Sequence, residues 1–400
     1  MNIQAARRTS ALSSGWLVGL SLVTFAIGTD DFVIAGALPS LSSGLKVPES
    51  AAGQLVTAFS ITYAVAAPIM AVATRRLPRK RLVVGGLATF VVINLATAVA
   101  PSFGIVLVLR VLAALVASTV SPVAFALAGS RTATGRAGRA IGIVASGLTA
   151  SLVIGVPAGS WLSHLFGWRS TFVAVGCFTG LALVVTGVTL PAFSVPPVTV
   201  RVRARLSMPR GPALLTCVAA TMVGACAGLM TYTYIAPITQ AITGTGGRYL
   251  AVFIATVGIA GAAGTFLGGR LTDRWGADRT MLATFATVVM TTLVLSAVGR
   301  VMHSAPVWLV AVLLAVWGLA AWGNNPPMNA RMLALAGDAG TEAIALNTSG
   351  LYLGVALAGA IGGLALRQHQ AEGVLLAATT VGLIAIVIMT VAVRRWPAGR

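Results

Sequence analysis

The sequence predicts an all-α membrane protein with twelve transmembrane helices in two six-helix pseudo-symmetric bundles. Composition is the first ground: 57% of the 400 residues are hydrophobic and 9% charged, against about one-quarter charged in soluble domains, and the mean hydropathy is +0.94. The second is that twelve apolar stretches can be drawn, each near the ~20 residues a helix needs to cross hydrocarbon. The third is a repeat: Leu38-Pro39 is answered by Ala236-Pro237, and Thr74-Arg75-Arg76 by Thr272-Asp273-Arg274, both 198 residues on.

The first stretch, 15–38, cannot stop before Asp30 and Asp31, because too few residues precede them and FVIAGAL follows. The next two, 51–73 and 82–100, flank the basic turn that contains Arg75 to Arg81, and the second ends at Pro101. Stretches 104–128 and 140–163 enclose the connection carrying Arg131, Arg136 and Arg139, and 170–190 runs from Arg169 to Pro191. A basic segment with Pro191, Pro196, Pro197 and Pro209 then divides the chain into 1–190, a linker at 191–211, and 212–400. The second set is 212–236, 249–271, 280–299, 306–328, 343–366 and 373–393, separated by short connections that hold Asp273, Asp278, Asp338, Glu342 and Glu372. Parallel six-helix repeats around a midplane site are a common transporter plan.

A net charge of +19 would suggest nucleic acid in a soluble protein, but here it records topology. With the N-terminus inside, 21 of the 27 Lys and Arg fall in inner segments, five in outer ones, and Arg110 inside a span. The positive-inside rule therefore puts both termini in the cytoplasm. A cleaved secretory signal, suggested by Arg7, Arg8 and Ala35-Gly36-Ala37, is disfavoured by the two aspartates in its apolar region. Cys177, Cys217 and Cys226 lie within spans and read as packing residues rather than a disulfide framework.

Ionisable groups inside a membrane mark functional sites by default. Asp31 lies eight residues before Pro39 and Arg110 nine after Pro101, so at 1.5 Å per residue both are about 12–13 Å below the outer end of their spans. Asp30, Asp31 and Arg110 are thus the candidate proton-coupling group. A nearby cation and a second carboxylate oppose one another in setting the proton affinity of such an acid. A static ion pair holding helices 1 and 4 together is the structural alternative. The second half has no charge deep within a span, but it carries Tyr232, Tyr234, Trp317, Trp322, Asn324, Asn325 and Asn347. Aromatic faces with a few amides suit a weakly polar organic ligand. In span 5, Gly155, Pro157 and Gly159 of GLTASLVIGVPAG read either as close packing or as a kink sealing the two halves on the outer side. His164, His303 and His369 lie near outer span ends, so no metal site is expected.

These residues resemble the major facilitator superfamily over essentially the whole chain. GTDDFVIAGALP resembles the Gly-Thr-x-Glu-Phe opening of the twelve-span drug:proton antiporters, in the branch of arabinose-efflux-like and chloramphenicol-resistance exporters. Asp31 then takes the glutamate's place and Asp30 is an extra acid. Arg110 fits the span 4 arginine motif, although Ala113, Ala114 and Leu115 depart from it, and GLTASLVIGVPAG is similar to the antiporter motif. TYTYIAPI, WGNNPPMNAR and ALNTSGLYLG also look like this branch. The loop 2–3 motif departs with Arg75 where Asp is usual, whereas loop 8–9 keeps Asp273 beside Arg274, which shifts the expected gate contacts to that copy.

The resemblance implies proton-coupled export of a small, drug-like compound by alternating access across the cytoplasmic (inner) membrane. It implies a monomer in the lipid bilayer whose partners are protons and a small molecule, with no cofactor and no nucleic acid. A sugar or metabolite exporter is the alternative within transport. A membrane-embedded enzyme would need a nucleophile with its base, or a metal cluster, and the sequence offers neither.

Overall fold

The computed structural model describes residues 3–74, 76–130, 137–191, 211–302, 304–336 and 340–397. Most of the expected linker, together with Arg75, Arg131, Arg136, His303, Asp338 and Arg400, lies outside the described residues, as do the side chains of Arg7, Arg8, Arg139 and Glu342. Among the described residues there is no strand.

The helices run α1 (Ile3–Leu45), α2 (Glu49–Ala52), α3 (Gln54–Ala73), α4 (Arg79–Ala98), α5 (Phe103–Ser130) and α6 (Ala137–Ala150). A π turn at Ser151–Gly155 leads into α7 (Val156–Phe166), followed by α8 (Trp168–Thr189). The second set is α9 (Pro212–Thr233), α10 (Ile235–Thr243), α11 (Leu250–Trp275), α12 (Ala277–Val301), α13 (Val307–Gly323), α14 (Asn325–Ala336) and α15 (Gly340–Arg395). Eleven of these segments are long and apolar enough to cross a membrane. The last contains two of the expected spans, because His369 and Gln370 leave helical geometry (Gln370 φ 55°) and turn the chain back. Twelve traversals result, which put both ends of the chain on one face of the bundle, here the terminal face; the opposite one is the distal face.

Backbone breaks modify the expected spans. α1 passes through Pro39 and ends at Leu45, followed by Lys46 at φ 54°. A proline is tolerated there because neighbouring helices re-satisfy the freed backbone groups. Asp31 is therefore about 21 Å from the distal end of α1, deeper than an end at Pro39 implies. The seventh traversal breaks at Tyr234 and the tenth at Asn324. Beyond Asn324 the helix continues to Ala336 and carries Arg331, which the charge pattern places in a connection, into the protein with no exposed surface.

Contacts within the first set join α1 to α6 and α8, α3 to α5, and α4 to α8; within the second they join α9 to α15 and α11 to α13. Across the two sets, α3 packs on α15, and α7 with the π turn packs on α11. The named cross-contacts lie toward the distal face. Gln54 Nε2 donates to the Gly359 carbonyl at 3.1 Å and Thr57 Oγ1 to the Ala356 carbonyl at 3.1 Å. The open side of Gly258 faces the Leu152 carbonyl. Glycines allow this approach, as small residues do wherever helices pack in lipid without a hydrophobic drive. A Cβ at Gly363 would fall 2.6 Å from Gln54 Nε2 and 2.9 Å from the Ser50 carbonyl.

Candidate functional site

Successive residues on a helix point about 100° apart, and α1 uses this to send its two acids to different partners. Asp30 turns into its own bundle. Its Oδ2 accepts from Arg110 Nη1 at 2.7 Å, and both side chains are 1% exposed. The Arg110 guanidinium also lies 4.4 Å from the Phe59 ring centroid, so the cation is held by a charge and an aromatic face together.

Asp31 turns to the seam between the bundles. It is 7% exposed, and its Oδ2 accepts from the Tyr352 hydroxyl of α15 at 3.1 Å. The Tyr352 ring stacks on Tyr63 of α3, with centroids 3.9 Å apart and planes 17° from parallel. Asp31 lines a small, narrow cavity with Phe32, Ala35, Val56, Leu229, Tyr232, Thr233 and Val355. Its walls come from both bundles.

Beside the cavity, Tyr232 meets Trp322 edge-on at 5.5 Å and Phe32 at 5.9 Å, while Trp322 reaches Phe32 at 6.5 Å and Trp317 at 5.9 Å. Edge-to-face packing of this kind is the favoured aromatic geometry. It leaves Trp322, only partly buried, at the border of the cluster.

The other candidates are dispersed. Tyr234 donates to the Gly359 carbonyl at 2.7 Å, on the distal side of the cavity. Asn347 accepts from Thr221 at 2.6 Å and so ties α15 to α9, and Asn324 accepts from Thr284 at 2.9 Å. Asn325 is exposed and accepts from Asn329. Gly155 and Gly159 face Thr29 and Val33 of α1 in their own bundle, and Pro157 is half-buried just after the π turn. The cross-bundle contact is made nearby, by Leu152. Asp273 and Arg274 are exposed.

A second buried ion pair stands elsewhere. Arg331 pairs with Asp278, donates from Nη2 to the carbonyls of Trp396 (2.7 Å) and Ala392 (3.1 Å), and directs Nε at Cys217 Sγ (3.1 Å). It joins α9, α12, α14 and α15 near the terminal face.

The sequence reading missed Tyr63, Tyr352, Phe32 and Phe59 at the centre. A signal for two of them existed, since Tyr63 and Tyr352 each lie in the interior of an apolar stretch, where a hydroxyl needs a partner.

Helices crossing a bilayer twelve times, with one buried carboxylate where two bundles meet and a buried ion pair beside it, define a polytopic membrane protein with an intramembrane polar site. The chain matches the profile of the Major Facilitator Superfamily over residues 20–341 and 222–399, and it belongs to that family of transporters. It is 31% identical to the MFS-type transporter YbcL of Bacillus subtilis over 95% of each chain. It is 33% identical to a chloramphenicol resistance protein of Streptomyces lividans over 64% of this chain and 66% of that protein. Among solved structures, a bacterial homologue of the lysosomal transporter Spinster, in an inward-facing unoccupied conformation, superposes with a TM-score of 0.78 at 17% identity, covering 96% of this chain and 97% of that one. The Spinster likeness is one of fold. These relatives are transporters, not enzymes.

Proposed function

We propose that this protein exports a small, drug-like organic compound across the cytoplasmic membrane in exchange for protons, as a monomer working by alternating access. Residues 1–190 and 212–400 are the two rocking halves, 191–211 is their linker, and both termini are cytoplasmic. On that orientation the contacts at the distal face close the outer side.

One observation carries the reading: Asp31 sits at the seam on a neutral hydroxyl of the opposite half, while the available cation, Arg110, is taken by Asp30. A carboxylate so placed can exchange a proton with a path on either side. Its two charge states also give the halves the differential affinity without which no ligand shifts a conformational equilibrium. Asp30 and Arg110 hold the helix that presents it. Substrate lies against Phe32, Tyr232 and Trp322, beside Asp31, and a proton arriving from outside displaces it. The family membership and the chloramphenicol resistance relative support export of an organic compound.

Everted vesicles energised to acid inside test this. Amphenicols, lipophilic cations and sugars are added in turn to the parent and to Asp31→Asn. Substrate-dependent proton release in the parent alone is expected. Uphill accumulation retained by Asp31→Asn would show that coupling lies elsewhere.

A further inference from the structure

The seam between the halves has a chemical asymmetry that ties the charge on Asp31 to the closure of the distal face. Gln54 and Thr57 bond to the backbone carbonyls of Gly359 and Ala356, acceptors that do not change with pH. One or more turns further toward the terminal face along α15, Tyr352 bonds to Asp31 of α1. Its acceptor loses its charge when it takes a proton, and a bond to an ionised acceptor is roughly twice as strong as a neutral one. The Tyr352 ring is fixed by its stack on Tyr63. Two helices of the first half, α1 and α3, thus grip one side chain of the second.

We infer that Tyr352 is a latch that holds the empty, deprotonated carrier shut on the distal face. The inference rests on the reading of Asp31 as the proton-carrying group. An antiporter leaks if the unloaded, deprotonated form can switch, because it then collects protons outside and returns with them while exporting nothing. With Asp31 ionised the Tyr352 bond resists that switch. Protonation weakens the bond and lets the protonated carrier move, and substrate entering the cavity against Asp31 competes with the same hydroxyl and releases it. The ionisable groups around Asp31 are Asp30 on α1, Arg110 on α5, Tyr63 on α3, Tyr232 on α9 and Tyr352 itself on α15. Tyr352 is the one that both belongs to the second half and donates to the carboxylate.

The test needs no substrate. Purified full-length protein is placed in liposomes loaded with pyranine, and decay of an imposed pH gradient is followed for the parent, Tyr352→Phe, Asp31→Asn and the double variant. Phenylalanine keeps the stack and removes the hydroxyl. Tyr352→Phe is expected to dissipate the gradient roughly tenfold faster than the parent, from loss of a hydrogen bond to a charged group, and the double variant to return to the parent rate. A Tyr352→Phe protein as tight as the parent overturns the latch and leaves the assignment of Asp31 to the vesicle experiment. A leak that persists in the double variant shows that the protons do not travel on Asp31, and overturns the reading beneath.

A second measurement covers a variant that leaks through misfolding. Spin labels at Val99 and Val301, both highly exposed on the distal face of opposite halves, report whether that face is open. Tyr352→Phe and Asp31→Asn should each raise the open population, and the double variant no further, because both remove one shared bond. Additive effects, or no change in the distances, would contradict the latch.

Discussion

Replacing Gly258 by alanine should open the distal face, and the size of the effect follows from what the added methyl meets. Gly258 lies on α11 with its open side against the Leu152 carbonyl in the π turn of the other bundle. Six residues along the same helix, Gly264 is pressed in the same way on the Leu319 carbonyl, but Leu319 belongs to α13 of its own bundle. In both places the obstacle is backbone, which cannot rotate aside. Overpacking of this kind costs about 1–3 kcal/mol, partly offset by the ~1 kcal/mol gain in helix propensity of alanine over glycine. The two variants differ in which equilibrium carries the penalty. At Gly258 the clash exists only while the bundles are closed together, so 1–3 kcal/mol becomes about a 5- to 150-fold shift toward the distal-open form. At Gly264 the contact persists in every arrangement of the two bundles, so the penalty falls on the fold. Labels at Val99 and Val301, read by pulsed electron spin resonance, should therefore show longer distances in Gly258→Ala, with the parent distribution retained in Gly264→Ala. A thermal melt in detergent should show the larger loss for Gly264→Ala. Equal movement of the distances in both variants, or a Gly258→Ala protein that only melts earlier, would refute this division of the penalty.

Two further outcomes follow from the buried pairs. Arg331→Ala takes the guanidinium away from Asp278 and from the carbonyls of Ala392 and Trp396, and breaking a buried pair typically costs about 3–5 kcal/mol; with Asp278 18% exposed the loss should lie at the lower end, seen as an earlier melt that Arg331→Lys, lacking the guanidinium fork, does not restore. Asp30→Asn leaves Arg110 buried without its counter-charge and should lower the melting temperature strongly, whereas joint replacement by Asp30→Asn and Arg110→Met should be milder than either alone; equal or additive losses would argue against a paired role.

The spans were legible because a helix in hydrocarbon needs a long apolar run, and that requirement is written residue by residue. So was the proximity of Arg110 to the acids of α1, since a buried ion calls for a counter-ion. Which acid it would choose was not legible. Both were at equal depth, and the choice depends on the rotation of α1 against α5, which packing fixes. Tyr352 was hidden for a related reason: it reaches Asp31 from a helix more than 300 residues away, and no local pattern records which faces meet across the seam. Arg331 looked like a loop residue because the break at Asn324 conceals how far the helix continues. Four of the second-half residues read as a ligand surface serve other ends in this arrangement, Tyr234 bonding at the seam, Asn324 and Asn347 joining helices, and Asn325 facing outward. A polar group in an apolar helix announces that it has a partner without naming it.

The extra acid, which a comparison of motifs alone treats as surplus, has a physical use on the proposed mechanism. A single carboxylate bound to Arg110 at 2.7 Å could not take up a proton without weakening the ion pair that fixes α1 against α5. Two consecutive acids separate the tasks. Asp30 occupies the arginine and fixes α1 against α5, and the helical twist then delivers Asp31 to the opposite half with only a hydroxyl on it. The carboxylate that meets the cavity can thus change its charge without dissolving the pair that positions it, and the change is felt where the halves touch. This division also explains why the second half can lack an acid of its own at the seam: it reads the first half's charge through a neutral donor, and its own buried pair, Arg331 with Asp278, lies away from the cavity, where it holds helices together.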